Sequence, residues 1–372
     1  LVAALATQPR VLRRPHEATA AAHALGRLAM RDVEAARSPD VTRALLAALQ
    51  RPDVGLQRGA AFALARQGPT MLAAPLSASL QAATAAVSDA NARAFLVRAV
   101  ANAGDPADPL LAALSTDPSP GVRIAVARAA ARLGWSDLEP LLMDEEVAVQ
   151  LEAIAAIGTI SQLDRAALLQ PILDAGSTLE AAEAWRASAD PALHRAAAAL
   201  DALGRAGLLE NAAELVETTR PTRIRQSAVP FLDTPSAWQR LALKDGEGSV
   251  RTAAARALAA SAPSRTALHA LLDAFDPMVG AIAAEALIER PARENEAPLL
   301  ETLAHADDAS LLANGLDALA TLYGGASPKV RKPDRAARRL AEAHVAHRSG
   351  QVRAAAGALM TALGGNPPEP WH

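Results

Sequence analysis

The sequence contains no cysteine and very few aromatic residues. The absence of cysteine excludes disulfides, thiolate metal sites and cysteine nucleophiles. Aromatic residues make up only 2% of the chain although apolar residues make up 51%, so the apolar content is mainly alanine, leucine and valine. Alanine is the best helix former, and the residues that favour strands are scarce. The composition therefore predicts an all-helical protein.

The sequence also lacks a strong excess of either charge, and it lacks a long apolar run. The 37 basic and 40 acidic residues give a formal net charge of −3. General nucleic-acid-binding proteins usually carry a basic excess, so the charge balance disfavours that class. No run of about 18 uncharged apolar residues is present, which is the length that a membrane span requires. The compartment is left open between the cytoplasm and an exported location.

A short phrase recurs along the chain and consists of an aspartate, turn residues, a valine–arginine pair and an alanine-rich helix. One copy runs from Asp117 to Arg123 and continues as IAVARAAARLG, and another runs from Asp245 to Arg251 and continues as TAAARALAA. A third copy, which starts at Gly350, lacks the aspartate. Recurrence at a period of about 30 residues predicts a stack of helix pairs and not one large core.

Most parts of this phrase have a structural explanation. An aspartate next to proline or glycine favours a tight turn, and its carboxylate can accept N–H groups at the next helix start. The valine and the alanines that follow it form a stripe that packs against neighbouring helices. A glycine recurs about twelve residues after the first apolar residue of such a stripe. These glycines are expected to end helices in the left-handed conformation: Gly68, Gly134 and Gly364.

The arginine of the phrase has two interpretations. We expect Arg123, Arg251 and Arg353 to pair with the turn aspartate of the same or an adjacent repeat, as an intramolecular ladder. The alternative is that these arginines line a groove, where their guanidinium groups would suit carboxylates or phosphates.

This pattern resembles HEAT repeats, in particular the short alanine-rich bacterial type that is also found in phycobilisome-lyase-like proteins. The resemblance covers residues 17–364 and implies an α/α superhelix, a HEAT-like solenoid of about ten helix pairs whose second helices line a concave face. We expect a single array over residues 1–364, with irregular repeats near 159–190 and 205–235. Residues 365–372 are expected to form a proline-rich tail or linker.

Candidate partner-binding residues lie where the phrase breaks down. Tryptophan is frequent at interface hot spots, and a basic run beside a loop can bind an acidic partner. Few aromatic residues lie near these basic runs, which disfavours single-stranded nucleic acid as the partner. The alternative is that the basic residues only form a solvated helix face. The candidates are Trp185, Arg220, Arg223, Arg225, Lys329, Arg331, Lys332, Arg335, Arg338 and Arg339.

Signals for metal binding or catalysis are isolated. His16-Glu17 resembles the metal-binding helix start of deoxyhypusine hydroxylase, a HEAT-like iron enzyme, but a single His-Glu pair does not assemble a multi-ligand iron site. His344 and His347 have the i, i+3 spacing of a weak divalent-metal site, and no third ligand is predictable. No phosphate-binding loop, G-x-S-x-G elbow or catalytic triad is evident. We therefore predict no catalytic, cofactor or metal residues within this chain.

The sequence favours a non-catalytic scaffold that binds a protein or peptide on the concave face of the solenoid. Two alternatives stay open. One is the repeat region of a larger bacterial enzyme, such as a cyclophilin-type peptidyl-prolyl isomerase. The other is a phycobilisome-lyase-like or metal-dependent HEAT enzyme. The oligomeric state is not predictable from these features.

Overall fold

The computed structural model of the protein describes residues 15–31, 33–67, 76–104, 108–177, 190–261, 264–324 and 335–364. Every regular element in these ranges is a helix, and none of these residues forms a strand. The prediction of an all-α fold is therefore confirmed. No helix among the described residues is long and apolar enough to cross a membrane.

The chain divides into two compact units. Unit 1 consists of Leu1–Gly176 and Ala189–Leu208, and unit 2 consists of Ser177–Ser188 and Leu209–His372. Each unit is a stack of helix pairs and is described by itself.

In unit 1 the second helices of successive pairs form one layer. The helices are α1 (Pro15–Met30), α2 (Pro39–Leu49), α3 (Val54–Leu64), α4 (Leu76–Ala86), α5 (Ala90–Ala103), α6 (Asp108–Leu114), α7 (Pro120–Leu133), α8 (Glu139–Leu142), α9 (Val147–Thr159), α10 (Arg165–Ser177) and α11 (Pro191–Arg205). Helices α1, α3, α5, α7, α9 and α11 pack against one another in that order, and α2, α4, α6 and α8 each pack against the helix that follows them. A short 3₁₀ helix covers Glu34–Arg37.

Unit 2 repeats the same two-layer arrangement. The helices are α12 (Ala212–Leu215), α13 (Thr222–Ala228), α14 (Pro235–Lys244), α15 (Gly248–Ala260), α16 (Arg265–Leu272), α17 (Pro277–Ile288), α18 (Glu296–Leu303), α19 (Ala309–Gly324), α20 (Arg335–His344) and α21 (Gly350–Ala362). Helices α13, α15, α17, α19 and α21 form the layer of second helices, and the first helices α12, α14, α16, α18 and α20 pack against them. Short 3₁₀ helices cover Val229–Phe231 and Arg293–Asn295.

The turns and caps follow the residues of the repeated phrase. Oδ1 of Asp89 accepts the N–H of Ala92 at 2.9 Å and so caps the start of α5. Helix α7 ends at Gly134, whose φ of 72° is in the left-handed region. Gly364 also has a positive φ, 75°, so both predicted terminal glycines are confirmed. Gly68 lies outside the described residues.

The seam between repeats is built from valine, alanine and glycine. Val122, Val250 and Val352 are fully buried, as the repeated phrase predicts. Small residues let successive second helices approach closely, because no long side chain separates their backbones. At Gly158 the approach is so close that a β-carbon would lie 2.8 Å from the β-carbon of Ala202, so a glycine is required there.

Candidate functional site

An arginine of one repeat binds the turn that precedes the second helix of the next repeat. Nε and Nη2 of Arg123 donate to Oδ2 and Oδ1 of Asp144 at 2.6 and 2.8 Å. Nη1 of the same arginine donates to the carbonyl oxygen of Asp117 at 2.7 Å. Burial alone would raise the pKa of Asp144. The hydrogen bonds that its carboxylate accepts from Arg123 and from the N–H of Glu146 outweigh this effect and lower the pKa below its ordinary value. The pair thus links two successive turns.

The same contact recurs in both units and forms an arginine–aspartate ladder. The other pairs are Arg58–Asp89 and Arg93–Asp117 in unit 1, and Arg225–Asp245 and Arg251–Asp276 in unit 2. The prediction that Arg123 and Arg251 pair with turn aspartates is confirmed. Arg353 donates to the carbonyl oxygens of His347 and Arg348 and forms no ion pair with the described residues. The ladder holds the stack together, and its guanidinium groups are occupied by the protein itself.

The candidate residues around α13 lie in different environments. Arg225 is buried, and its guanidinium donates to Asp245 at 2.9 Å and to the carbonyl oxygen of Arg220 at 2.8 Å. Nη1 of Arg220 donates to the carbonyl oxygen of Ser177 at 3.3 Å. Arg223 is exposed. Only Arg223 presents its side chain freely, and Arg225 belongs to the ladder.

The second candidate cluster falls partly on α20. Arg335, Arg338 and Arg339 are exposed and have the i, i+3, i+4 spacing of one helix face. Nη2 of Arg338 donates to the carbonyl oxygen of Leu363 at 3.3 Å. The remaining candidates lie outside the described residues: Trp185, Lys329, Arg331 and Lys332.

The described residues contain no group of three or more histidine, aspartate or glutamate side chains that could hold a metal ion. The rings of His344 and His347 lie 5.9 Å apart. Nδ1 of His344 bonds to the carbonyl oxygen of Leu340, and Nδ1 of His347 accepts the N–H of Ser349. Both histidines therefore take part in local backbone contacts at the end of α20.

The structure brings together an arginine cluster that the sequence analysis did not identify. A cavity of about 430 Å³ lies between α5 and α7 on the second-helix layer of unit 1. We call it the arginine groove, and its defining residues are Phe95, Arg98, Asn102, Ile124, Arg128 and Arg132. All three arginines are exposed.

The arginines of the groove are only partly neutralised. Arg128 forms an ion pair with Glu152 of α9, and Nη1 of Arg132 donates to Oδ1 of Asn102 at 2.7 Å. Arg98 has no hydrogen bond or ion pair with any described residue. Partial burial lowers the pKa of Arg98, and three nearby guanidinium groups lower it further: Arg66, Arg132 and Arg128. Arginine side chains are protonated at neutral pH in proteins, so Arg98 carries a positive charge.

An aromatic cluster adjoins the groove on the side of α3. The rings of Phe62 and Phe95 meet edge to face, with centroids 5.6 Å apart and an interplanar angle of 78°. The ring centroids of His23 and Phe62 lie 5.6 Å apart. The guanidinium carbon of Arg66 lies 5.3 Å from the centroid of the Phe62 ring. Nε of Arg66 is buried and has no hydrogen-bond partner among the described residues. The groove thus continues into an apolar surface that is flanked by a further cation.

One sequence signal could have identified this groove. Arg98 lies six residues after the buried Ala92, and Arg128 lies six residues after the buried Val122. Two side chains at equivalent positions of adjacent repeats lie next to each other once the repeats stack. A position-by-position alignment of the repeats would therefore have placed Arg98 beside Arg128. Because these arginines are far apart along the chain, they do not form a basic run of the kind found near residues 329–339.

A larger and more apolar cavity, about 730 Å³, lies elsewhere in unit 1. Its lining includes Leu138, Met143, Ile157, Leu168 and Pro171. Arg195 is the only basic residue among the described residues that line it. It offers no convergence of charges, and nothing in the described structure indicates what would cover it.

No protein-family model and no curated protein matches this chain. Solved structures do match over nearly its whole length. One match is a Kap95p structure in which Kap95p binding induces the switch loops of RanGDP to adopt the GTP-bound conformation. It matches at 14% identity with a TM-score of 0.56, and the alignment covers 97% of this chain and 54% of that chain. The complex of Kap95 with Nup1 matches at 14% identity with a TM-score of 0.56, covering 95% and 56%.

The karyopherin Kap121p, bound to the extreme C-terminus of the protein phosphatase Cdc14p, matches at 15% identity with a TM-score of 0.50. The alignment covers 97% of this chain and 45% of that chain. This chain therefore spans about half the length of these proteins. At this identity the similarity concerns the fold, which is an α/α solenoid of the HEAT/armadillo type.

Proposed function

We propose that this protein is a non-catalytic scaffold that binds a protein partner, and that the arginine groove is its docking surface. The observation that supports this most directly is Arg98, an exposed guanidinium without a partner among the described residues, close to three other arginines. Like charges that lie together repel one another and destabilise the folded chain. Folding therefore does not explain why these arginines lie together, whereas the binding of a ligand at this place does.

The position of the groove fits this proposal. It lies on the layer of second helices, which is the layer expected to line the concave face of a solenoid. Three of the solved structures with this fold name protein partners, namely RanGDP, Nup1 and the C-terminus of Cdc14p. For this chain, protein binding and the use of the concave face are proposals that rest on the groove.

The other candidate residues are proposed as secondary contacts of the same scaffold. Arg223 and the α20 residues Arg335, Arg338 and Arg339 are exposed and could extend a binding surface within unit 2. The outlying candidates Trp185, Lys329, Arg331 and Lys332 stay predictions from the sequence. Arg225 is left out of the proposed surface because its guanidinium is buried against Asp245.

The test is affinity capture from an extract of the native cells by three immobilised proteins. These are the wild type, Arg98→Glu, and the control Arg256→Glu. Arg256 lies six residues after Val250 in unit 2, so it occupies the repeat position of Arg98, and it is exposed. Unlike Arg98, it shares its cavity with Glu285 and Glu289.

We expect the wild type and Arg256→Glu to retain the same protein partner and Arg98→Glu to lose it. Retention of identical proteins by all three baits would show that the arginine groove is not the docking surface. Failure of the wild type to retain any protein above the level of Arg98→Glu would contradict the proposal as well.

A further inference from the structure

We infer that the ligand of the arginine groove is an extended acidic peptide segment whose carboxylates recur at about every third residue. This inference rests on the proposed function and specifies the chemistry of the partner. It follows from the charge of three neighbouring second helices, from the spacing of the groove arginines and from the contacts that the nearby ring of Phe62 already makes.

The charge on these helices is of one sign. Helices α3, α5 and α7 contain no aspartate or glutamate. Their arginines divide into two sets. The first set, Arg58, Arg93 and Arg123, is neutralised by the aspartates of the ladder. The second set consists of the three groove arginines, whose one acidic partner among the described residues is Glu152. The groove therefore carries excess positive charge that a ligand can neutralise.

The groove already shows how it binds oxygen ligands. Arg128 binds the carboxylate of Glu152, and Arg132 binds the amide oxygen of Asn102. Arg98 lies between α3 and α7 and has no competing acceptor among the described residues. Arginine binds planar carboxylates through two parallel N–H groups, which makes a glutamate or aspartate side chain a well-matched ligand. Arg98 is thus the position where an external carboxylate binds without displacing anything.

The spacing of the cluster favours an extended chain. Packed helices lie about 8–10 Å apart, so arginines at equivalent positions of α5 and α7 recur at about that distance across the layer. In the extended polyproline II conformation three residues complete one turn and advance about 9 Å, so every third side chain points to the same side of the peptide. Carboxylates at every third position therefore match successive second helices, whereas consecutive carboxylates place most of their charge away from the arginines.

The aromatic residues near the groove favour a peptide over a nucleic acid. Bases bind to proteins largely by stacking on free aromatic faces. The ring of Phe62 is already in contact with His23, Phe95 and Arg66.

The test uses a fluorescent peptide of about twelve residues with glutamate at every third position and serine and glycine between. A second peptide has the same composition with its glutamates consecutive, and a third carries lysine in place of glutamate. Binding is measured by fluorescence anisotropy against the full chain as wild type, Arg98→Glu, Glu152→Gln and Arg256→Glu. Circular dichroism melting establishes that each variant is folded.

We expect the spaced glutamate peptide to bind the wild type and Arg256→Glu equally, and Arg98→Glu at least about tenfold more weakly. Glu152→Gln should bind this peptide severalfold more tightly, because it removes the internal carboxylate that competes for Arg128. The lysine peptide should not bind. Equal binding of the spaced glutamate peptide to the wild type and Arg98→Glu would overturn the inference, and so would tighter binding of the consecutive-glutamate peptide.

A single-stranded DNA oligonucleotide of similar charge is the competing probe. If the DNA binds the wild type more tightly than the peptide does, and Arg98→Glu abolishes that binding, the ligand class is wrong. The two proposals fail separately. If Arg98→Glu loses a protein that the wild type captures, but the acidic peptide does not bind the wild type, only the inference of a carboxylate ligand is overturned. Capture that is insensitive to Arg98→Glu would overturn the docking surface itself.

Discussion

Arg123 and Asp144 face each other across two successive repeats, with two N–H···O contacts of 2.6 and 2.8 Å. Their side chains are only 8% and 5% exposed, so this ion pair is removed from water. The same carboxylate caps the following turn through the N–H of Glu146 at 2.8 Å. One aspartate thus serves both the local turn and the contact between repeats.

Asp144→Asn should destabilise unit 1 by about 3 kcal/mol, because it leaves the buried Arg123 charge with only the exposed carboxylate of Glu145, at 3.8 Å, as a counter-ion. The measurement is urea unfolding followed by circular dichroism. The control is Asp201→Asn, which removes an exposed i, i+4 pair with Arg205 and should change stability by about 0.5 kcal/mol or less. A similar loss in both variants would contradict the role of the ladder.

The same variant gives a pH prediction. The folded-state pKa of Asp144 lies below its ordinary value of 3.8. The native state therefore binds fewer protons here than the unfolded state, and the stabilisation is present above pH 3.8 and lost as the pH falls through the folded-state pKa. The difference in stability between the wild type and Asp144→Asn should shrink as the pH is lowered through this range.

Val122→Asp should destabilise by about 3 kcal/mol or more, because it places a carboxylate in the fully buried seam between repeats. Val54→Asp is the matched control. Val54 is 46% exposed and begins α3, where an acidic residue favours the helix dipole, so we expect a change within about 0.5 kcal/mol. Thermal melting of both variants checks the assignment of the seam, and an unchanged melting temperature for Val122→Asp would contradict it.

Gly134→Ala should destabilise by about 1 kcal/mol, because the φ of 72° at this position is strained for any residue with a β-carbon. Gly121 is a control within the same helical repeat. It lies in the first turn of α7, and an added β-carbon would approach no atom closer than 3.6 Å. Gly121→Ala should therefore be neutral or slightly stabilising. The urea midpoints of the two variants should shift differently, and equal shifts would argue against the cap.

Asp317 of α19 provides a prediction of the opposite sign. Burial raises the pKa of this carboxyl above 3.8. Between the unfolded and folded pKa values the native state binds more protons, so stability falls as the pH rises through that window. Asp317→Asn should increase the melting temperature at neutral pH, and the gain should shrink at acidic pH. The exposed Glu301→Gln serves as a control that should leave the melting temperature unchanged at both pH values.

Much of the fold could be predicted because it depends on residues that are close along the chain. Alanine content predicts helix, and the aspartate and glycine of the repeated phrase predict the turns and the helix ends at Gly134 and Gly364. The phrase predicts less detail where it is irregular. Within the irregular repeat expected near 205–235, the first helix, α12, covers only Ala212–Leu215. Gly207, which precedes this stretch, has a φ of 69°.

The sequence by itself determined that the chain is a stack of alanine-rich helix pairs, and it favoured the pairing of turn aspartates with arginines. Both depend on spacing within one or two repeats. Only the tertiary structure decided which arginines are free. Arg225, a candidate in the sequence, is buried against Asp245, whereas Arg98 and Arg128 converge at the groove from different repeats. Electrostatic interaction depends on distance in space, and stacking brings together charges that are far apart along the chain.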